Sequence, residues 1–245
     1  MRQDPTDWVH RRNRDRVKSL RTKAYLAQIT LGTLLVYWMG VVAILFAYKS
    51  GWDLPPKATD VLASTEMLYP WLLLATATLF VIWSYGAHSN LKLFDRRGIR
   101  HADQATIWWW LVPFAGFVMP FRVVHETARG SVAQTDEIHW NDLDSPAIAR
   151  WWTGLFVTGL IASTMGGGMI GAATTIERFA SAANVLLVGS VLMVAAALTA
   201  IGLIQVVTMG QVSLANEQWP AWTDFPITAV PPTGHGYYQP PSHTG

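Results

Sequence analysis

The chain contains no cysteine. That excludes a disulfide framework, a thiolate nucleophile, a cysteine-ligated zinc and an iron–sulfur cluster. Charge is also scarce: 14% of the 245 residues are Asp, Glu, Lys or Arg, against roughly 25% in a soluble domain, while 51% are hydrophobic. The charges gather in a few segments and leave long stretches bare, as in an integral membrane protein. Mid-membrane ionisable residues, the usual mark of a proton or ion path, are missing from those stretches, which hold only amides such as Gln28 and Gln205 and scattered hydroxyls. A pump or ion-coupled transporter acting alone is therefore disfavoured.

Four stretches are long enough to cross a bilayer, which takes about 20 apolar residues. They are residues 24–48, 69–91, 151–174 and 182–209. Tryptophan pairs an apolar ring with one polar N–H and suits the headgroup layer. Of Trp38, Trp71, Trp83, Trp151 and Trp152, the three at span ends, Trp71, Trp151 and Trp152, fit that role best. The N-terminus is not read as a cleavable signal. Its charged region is long, and the apolar run after it continues to Tyr48 without a small-residue cleavage site. Residues 1–23 read instead as a basic arm leading into the first span.

Lys and Arg counts set the orientation. Eight precede the first span, two (Lys49 and Lys57) follow it, seven lie between the second and third spans, Arg178 alone lies between the third and fourth, and none comes later. Four spans with both termini in the cytoplasm put fifteen of them inside and three outside. The arm directly adjoins a span, so anionic lipid is its expected partner rather than nucleic acid.

The segment "WWWLVPFAGFVMPFRVVHE", residues 108–126, is apolar yet broken by Pro113 and Pro120. Each proline removes a backbone donor, and unpaired backbone in lipid costs several kcal/mol per group. The expectation is a re-entrant or interfacial helical segment over 106–125 on the cytoplasmic side. A fifth crossing is the alternative. The fold expected is thus all-α and integral to the membrane, with a four-span domain over 24–211 and a proline-, glycine- and tyrosine-rich cytoplasmic tail over 212–245 that leans towards polyproline II.

Few residues suggest chemistry. His88, His101, His125 and Glu126 offer imidazole and carboxylate ligands near one interface, but "HETAR" lacks the second histidine of the zincin motif, and no cofactor is expected. The third span carries two small-residue stripes at four-residue spacing: Gly154, Thr158, Ala162 and Gly166, and Gly159, Ser163, Gly167 and Gly171. Such stripes let helix backbones approach closely, within the bundle or against another subunit.

The blocks "WSYGAHSNLKLFDRRGIRHADQATIWWWLVPFAGFVMPFRVVHETARGS" and "SPAIARWWTGLFVTGLI" resemble the family called domain of unknown function 4328, multi-span membrane proteins frequent in actinobacteria. Tyr85, Ala87 and Asn90 fall in its first motif. Trp109, Trp110, Val112, Pro113 and Pro120 fall in the second, with Glu126 after it, and Trp151 and Trp152 in the third. Gly86 stands where the family often has arginine, and Gly116 or Phe117 where it has asparagine. The resemblance implies the four-span layout and no activity.

Two functions follow as expectations. The first is a non-catalytic accessory, assembly or scaffolding subunit of a larger complex in the cytoplasmic membrane, in contact with other membrane subunits. The second is a lipid- or small-molecule-binding protein whose site involves Trp109, Trp110, Pro113, Pro120, Arg122, His125 and Glu126, with His88 and Asn90 nearby.

Overall fold

A computed structural model of the chain describes residues 5–51, 56–111, 118–133 and 140–219, with side chains from Trp8 onward and, in the second stretch, from Met67 to Trp110. Pro113 and the tail from 220 to 245 lie outside the described residues. The helices are α1 (Pro5–Lys49), α2 (Pro56–Asn90), α3 (Ala105–Leu111), α4 (Met119–Val132), α5 (Ala147–Gly171) and α6 (Ile176–Gln218). Among the described residues there is no strand. Four helical stretches are long and apolar enough to cross a membrane: Trp8–Lys49, Met67–Phe94, Ala147–Gly171 and Ile176–Gln218.

The helices outrun the apolar stretches that seed them. The basic arm is no separate surface helix, because α1 runs through it and the first span without a break. Likewise α6 continues to Gln218, past the point where the tail was expected to begin. Its start is capped by Thr175, whose hydroxyl accepts from the Arg178 N–H at 3.3 Å. Once an apolar run nucleates a helix, flanking polar residues extend it at little further cost, so hydropathy alone misplaces the ends.

The bundle is built around α6, which packs against both α1 and α5. Across α5 and α6 the backbones nearly touch. A methyl group at Gly166 would lie 2.5 Å from the Leu186 nitrogen, and one at Gly189 would collide with the Ser163 backbone. The seam residues on α5 are Gly159, Ser163 and Gly166, all buried. They follow an i, i+4, i+7 pattern taken from both expected stripes. A strict four-residue spacing gains about 40° per step on a helix of 3.6 residues per turn and soon leaves the contact face. Accordingly Gly154, Gly167 and Gly171 have no neighbour around them, and Thr158 is exposed.

Among the described residues neither half of the proline-broken segment is long enough to cross by itself. Helices of 7 and 14 residues, α3 and α4, reach about 10 and 21 Å, short of the hydrocarbon thickness of about 30 Å. Both flanks also sit at one end of the bundle. His88 near the end of α2 meets Thr127 of α4 at 3.1 Å, and His125 of α4 meets Thr153 near the start of α5 at 3.0 Å. The same end holds the arm and the close of α6, since Arg14 donates to the Trp219 carbonyl at 2.6 Å.

Candidate functional site

The site is assembled on α4, so the first question is what fixes α4. Pro120 in the first turn removes a donor that a helix start leaves unsatisfied anyway. One face of α4 is buried against α2 and α6, and there the contacts are polar. Gln211 of α6 is fully buried; its amide donates to the Ala87 carbonyl at 2.7 Å and to Ser131 Oγ at 3.0 Å, and its oxygen accepts from Asn90 Nδ2 at 3.1 Å. One amide thereby ties α2, α4 and α6 together.

His88, with 0% exposure, does the same for the loop after α2. Its Nε2 faces the His101 carbonyl at 3.1 Å, which can only accept, so Nε2 carries the proton. Its Nδ1 lies 3.1 Å from the Thr127 hydroxyl, which donates in turn to the Val123 carbonyl at 2.8 Å. Buried Arg96 donates to the Gly130 and Ala133 carbonyls at 3.1 and 2.6 Å, placing a cation at the C-terminal end of α4. Buried Trp140 donates from Nε1 to the Arg97 carbonyl at 2.9 Å. Gly98, at φ +77°, turns the loop so that its carbonyl accepts from Asn141 Nδ2 at 2.7 Å.

The opposite face of α4 opens into a cleft of about 570 Å³. Arg122, His125 and Arg129 project from α4, Arg100 and His101 from the loop before α3, and Thr153 and Val157 from α5. At its floor lies Glu126, 1% exposed, with both oxygens engaged: Oε1 accepts from the Arg100 N–H at 2.6 Å and Oε2 from His101 Nδ1 at 2.7 Å. Among the described residues neither Arg100 nor Arg122 has an ion-pair partner. Arg129 Nη1 donates to the Asn141 carbonyl at 2.7 Å, while its buried Nε has no partner there. His125 meets Ser145 Oγ at 2.6 Å as well as Thr153, and its pKa lies below the ordinary imidazole value of 6.5. Burial is the main cause, followed by the positive charges of Arg129 and Arg150. Among the described lining residues positive charge is therefore in surplus, and the one carboxylate, Glu126, is already engaged, which suits an anion.

An apolar wall adjoins it. Phe121 lines the cleft and packs against Trp152 and Phe156 of α5 at 5.4 and 6.1 Å between ring centroids. Trp152 and Phe156, with Phe80 and Trp110, line a crevice of about 90 Å³ enclosed by α1, α2, α5 and α6 that is almost wholly apolar. Trp152, expected among the headgroup anchors, is a core residue at 4% exposure, whereas Trp151 is 67% exposed. Consecutive helical residues point about 100° apart, so only one of the pair can face the bundle.

Comparison with family models decides the lineage: residues 57–209, well over half of the chain, match the family described as "Domain of unknown function (DUF4328)". The chain belongs to that family. No curated protein and no solved structure matches it.

Within this DUF4328 member the expected site residues separate into groups. Arg122, His125 and Glu126 converge on the cleft. Trp110 lines the apolar crevice, and Trp109 is half-buried with its Nε1 unpartnered among the described residues. His88 and Asn90 belong to the internal hydrogen-bond network, and Pro120 is buried in the α4 start. The histidines and Glu126 do not converge as ligands. His88 and His125 have both ring nitrogens engaged, and among the described residues no three such groups could hold an ion.

Other functional positions had no sequence signal of their own. Gln211 lies just past the expected fourth span, and Gln205 inside that span is exposed. Arg96, Thr127 and Ser131 looked like ordinary interfacial polars. Gly86, where the family often has arginine, has Lys23 of α1 lying over it, with Nζ 3.4 Å from where a Cβ would sit.

Proposed function

We propose that this protein is a multi-pass protein of the cytoplasmic membrane, with both termini inside, that binds the phosphate headgroup of an anionic lipid in the cleft beside α4. The carrying observation is the convergence of Arg100, Arg122, Arg129, His101 and His125 on one cleft in which, among the described residues, the one carboxylate is already engaged. The Phe121 wall places an aromatic, apolar crevice next to the charged groups, so one amphiphile meets matching surfaces at both ends. Orientation rests on the basic residues: Arg12, Arg16 and Lys23 of the arm line one cleft with Lys92 and Asp103 of the connection between α2 and α3. No reacting group is required, and the role is binding rather than catalysis.

The test is native mass spectrometry of the full chain, purified in mild detergent, for retained lipid. Wild type retains an anionic phospholipid, and Arg100→Gln with Arg122→Gln, both exposed positions, reduces its occupancy several-fold. Equal retention by the double variant would remove this reading.

A second reading, an accessory or scaffolding subunit, is favoured by the outward face of α5. Gly154 in the first half of α5, and Gly167, Gly168 and Gly171 in its last five residues, have open space around them, a surface on which another helix can pack closely. A protein recovered in fixed proportion in the same spectra, and lost on Gly167→Val, would establish it.

A further inference from the structure

On the other side of the loop that carries His101 and Asp103 lies a larger cleft of about 1070 Å³, between the arm of α1 and the end of α2. Arg12, Arg16 and Lys23 enter it from α1, Tyr85 and Ser89 from α2, and Lys92 from the turn after α2. Residues 12, 16, 19 and 23 recur at four, three and four residues, which keeps them on one helix face. Lys23 is held inward because Gly86 has no side chain: a Cβ there would press on Leu20 Cδ1 at 3.3 Å and on Lys23 Nζ at 3.4 Å.

The charge balance is one-sided. Among the described residues two carboxylates line this cleft, Asp15 and Asp103, and Asp103 is engaged by Lys92 at 2.7 Å. Among the described residues Arg11, Arg12, Arg16 and Lys23 have no ion-pair partner. From Arg12 to Lys23 the helix rises about 16 Å. One phosphate spans only a few ångströms and can satisfy neighbouring cations at one level, not a column of this length.

We propose that the cleft between the arm and α2 is a second anion site, separate from the one beside α4, and that its ligand carries two phosphate groups. Headgroups of a two-phosphate phospholipid and a soluble diphosphate share this chemistry. Simple attraction of a basic arm to an anionic surface is the competing account, and the arm itself provides the control. Lys18 and Arg21 lie on the far side of the same helix and do not line the cleft.

The experiment uses the full chain in phosphatidylcholine nanodiscs. Inorganic pyrophosphate and orthophosphate are titrated calorimetrically. In parallel, nanodiscs containing diphosphatidylglycerol or phosphatidylglycerol at matched charge are compared by lipid retention. Pyrophosphate, the two-phosphate lipid, or both should bind in preference to the one-phosphate probe. Arg12→Gln with Arg16→Gln should weaken that binding roughly 25-fold, at about fivefold per charge, while Lys18→Gln with Arg21→Gln leaves it unchanged. Binding of the lipid alone assigns the bilayer as source, and of pyrophosphate alone a soluble ligand. Equal losses in the two double variants, no preference for two phosphates, or no binding by wild type would overturn the proposal. Loss through Arg100→Gln with Arg122→Gln would overturn the separateness of the two clefts. Failure of the reading beside α4 leaves this one standing, because the variants do not overlap.

Discussion

Along α6 the first half and the last third are held by opposite means. Gly189 and its neighbours meet α5 through missing side chains, backbone against backbone. Gln211 meets α2 and α4 through a side chain that reaches three partners. The first contact excludes any added atom. The second depends on particular atoms being there, but a polar group that loses one partner near the interface can find another in water or a headgroup. Within the bilayer, close packing of small residues associates helices without a hydrophobic force, and interhelical hydrogen bonds contribute only about 0.6 kcal/mol on average. The glycine seam should therefore be the brittle part, and the polar end the adjustable one.

The sharpest way to break this contrast is Gly189→Val, which drives a branched side chain into Ser163. It should destabilise the bundle by about 3 kcal/mol or more, read as a large fall in Tm in detergent. Gly167→Val on the open face should leave Tm unchanged. Equal Tm values for the two variants would remove the seam from the account.

Gln211→Leu should have the next largest effect, about 1–2 kcal/mol, because Asn90 Nδ2 and Ser131 lose a buried partner. Adding Asn90→Leu should recover part of that loss, and a double-mutant cycle with no coupling would mean that the two amides act independently.

The smallest effect concerns pH. His125 has a folded-state pKa below 6.5, so the neutral ring is favoured in the folded protein. Its contribution is present in full above the unfolded value of 6.5 and is lost as pH falls through the lower folded value, because the unfolded chain takes up the proton first. Thermal melts from about pH 7.5 to about pH 5 should therefore slope downward more steeply for wild type than for His125→Asn. An anion in the cleft favours the protonated ring, so saturating phosphate should flatten the wild-type slope. Identical slopes for the two proteins would show that His125 does not titrate in this range.

The spans and the broken segment were legible because both rest on strong, local signals: charge-free runs of sufficient length, and prolines where lipid forbids free backbone. Of the cleft, Arg122, His125 and Glu126 were legible, since they follow one another on a single short helix. His101 was already grouped with His125 and Glu126, but Arg100 reaches the same cleft through a loop whose path depends on Gly98 and Asn141, 43 residues apart in sequence. The choice between Gln205 and Gln211, like that between Trp151 and Trp152, turns on helix rotation about a partner, which composition and hydropathy do not encode.

Finally, α1 and α6 are 45 and 43 residues long, so each extends for about 65 Å, roughly twice the thickness of the hydrocarbon. Their ends are clasped by Arg14 on the Trp219 carbonyl. The two helices thus form a paired rod longer than the hydrocarbon is thick, and its length is set by residue count rather than by lipid.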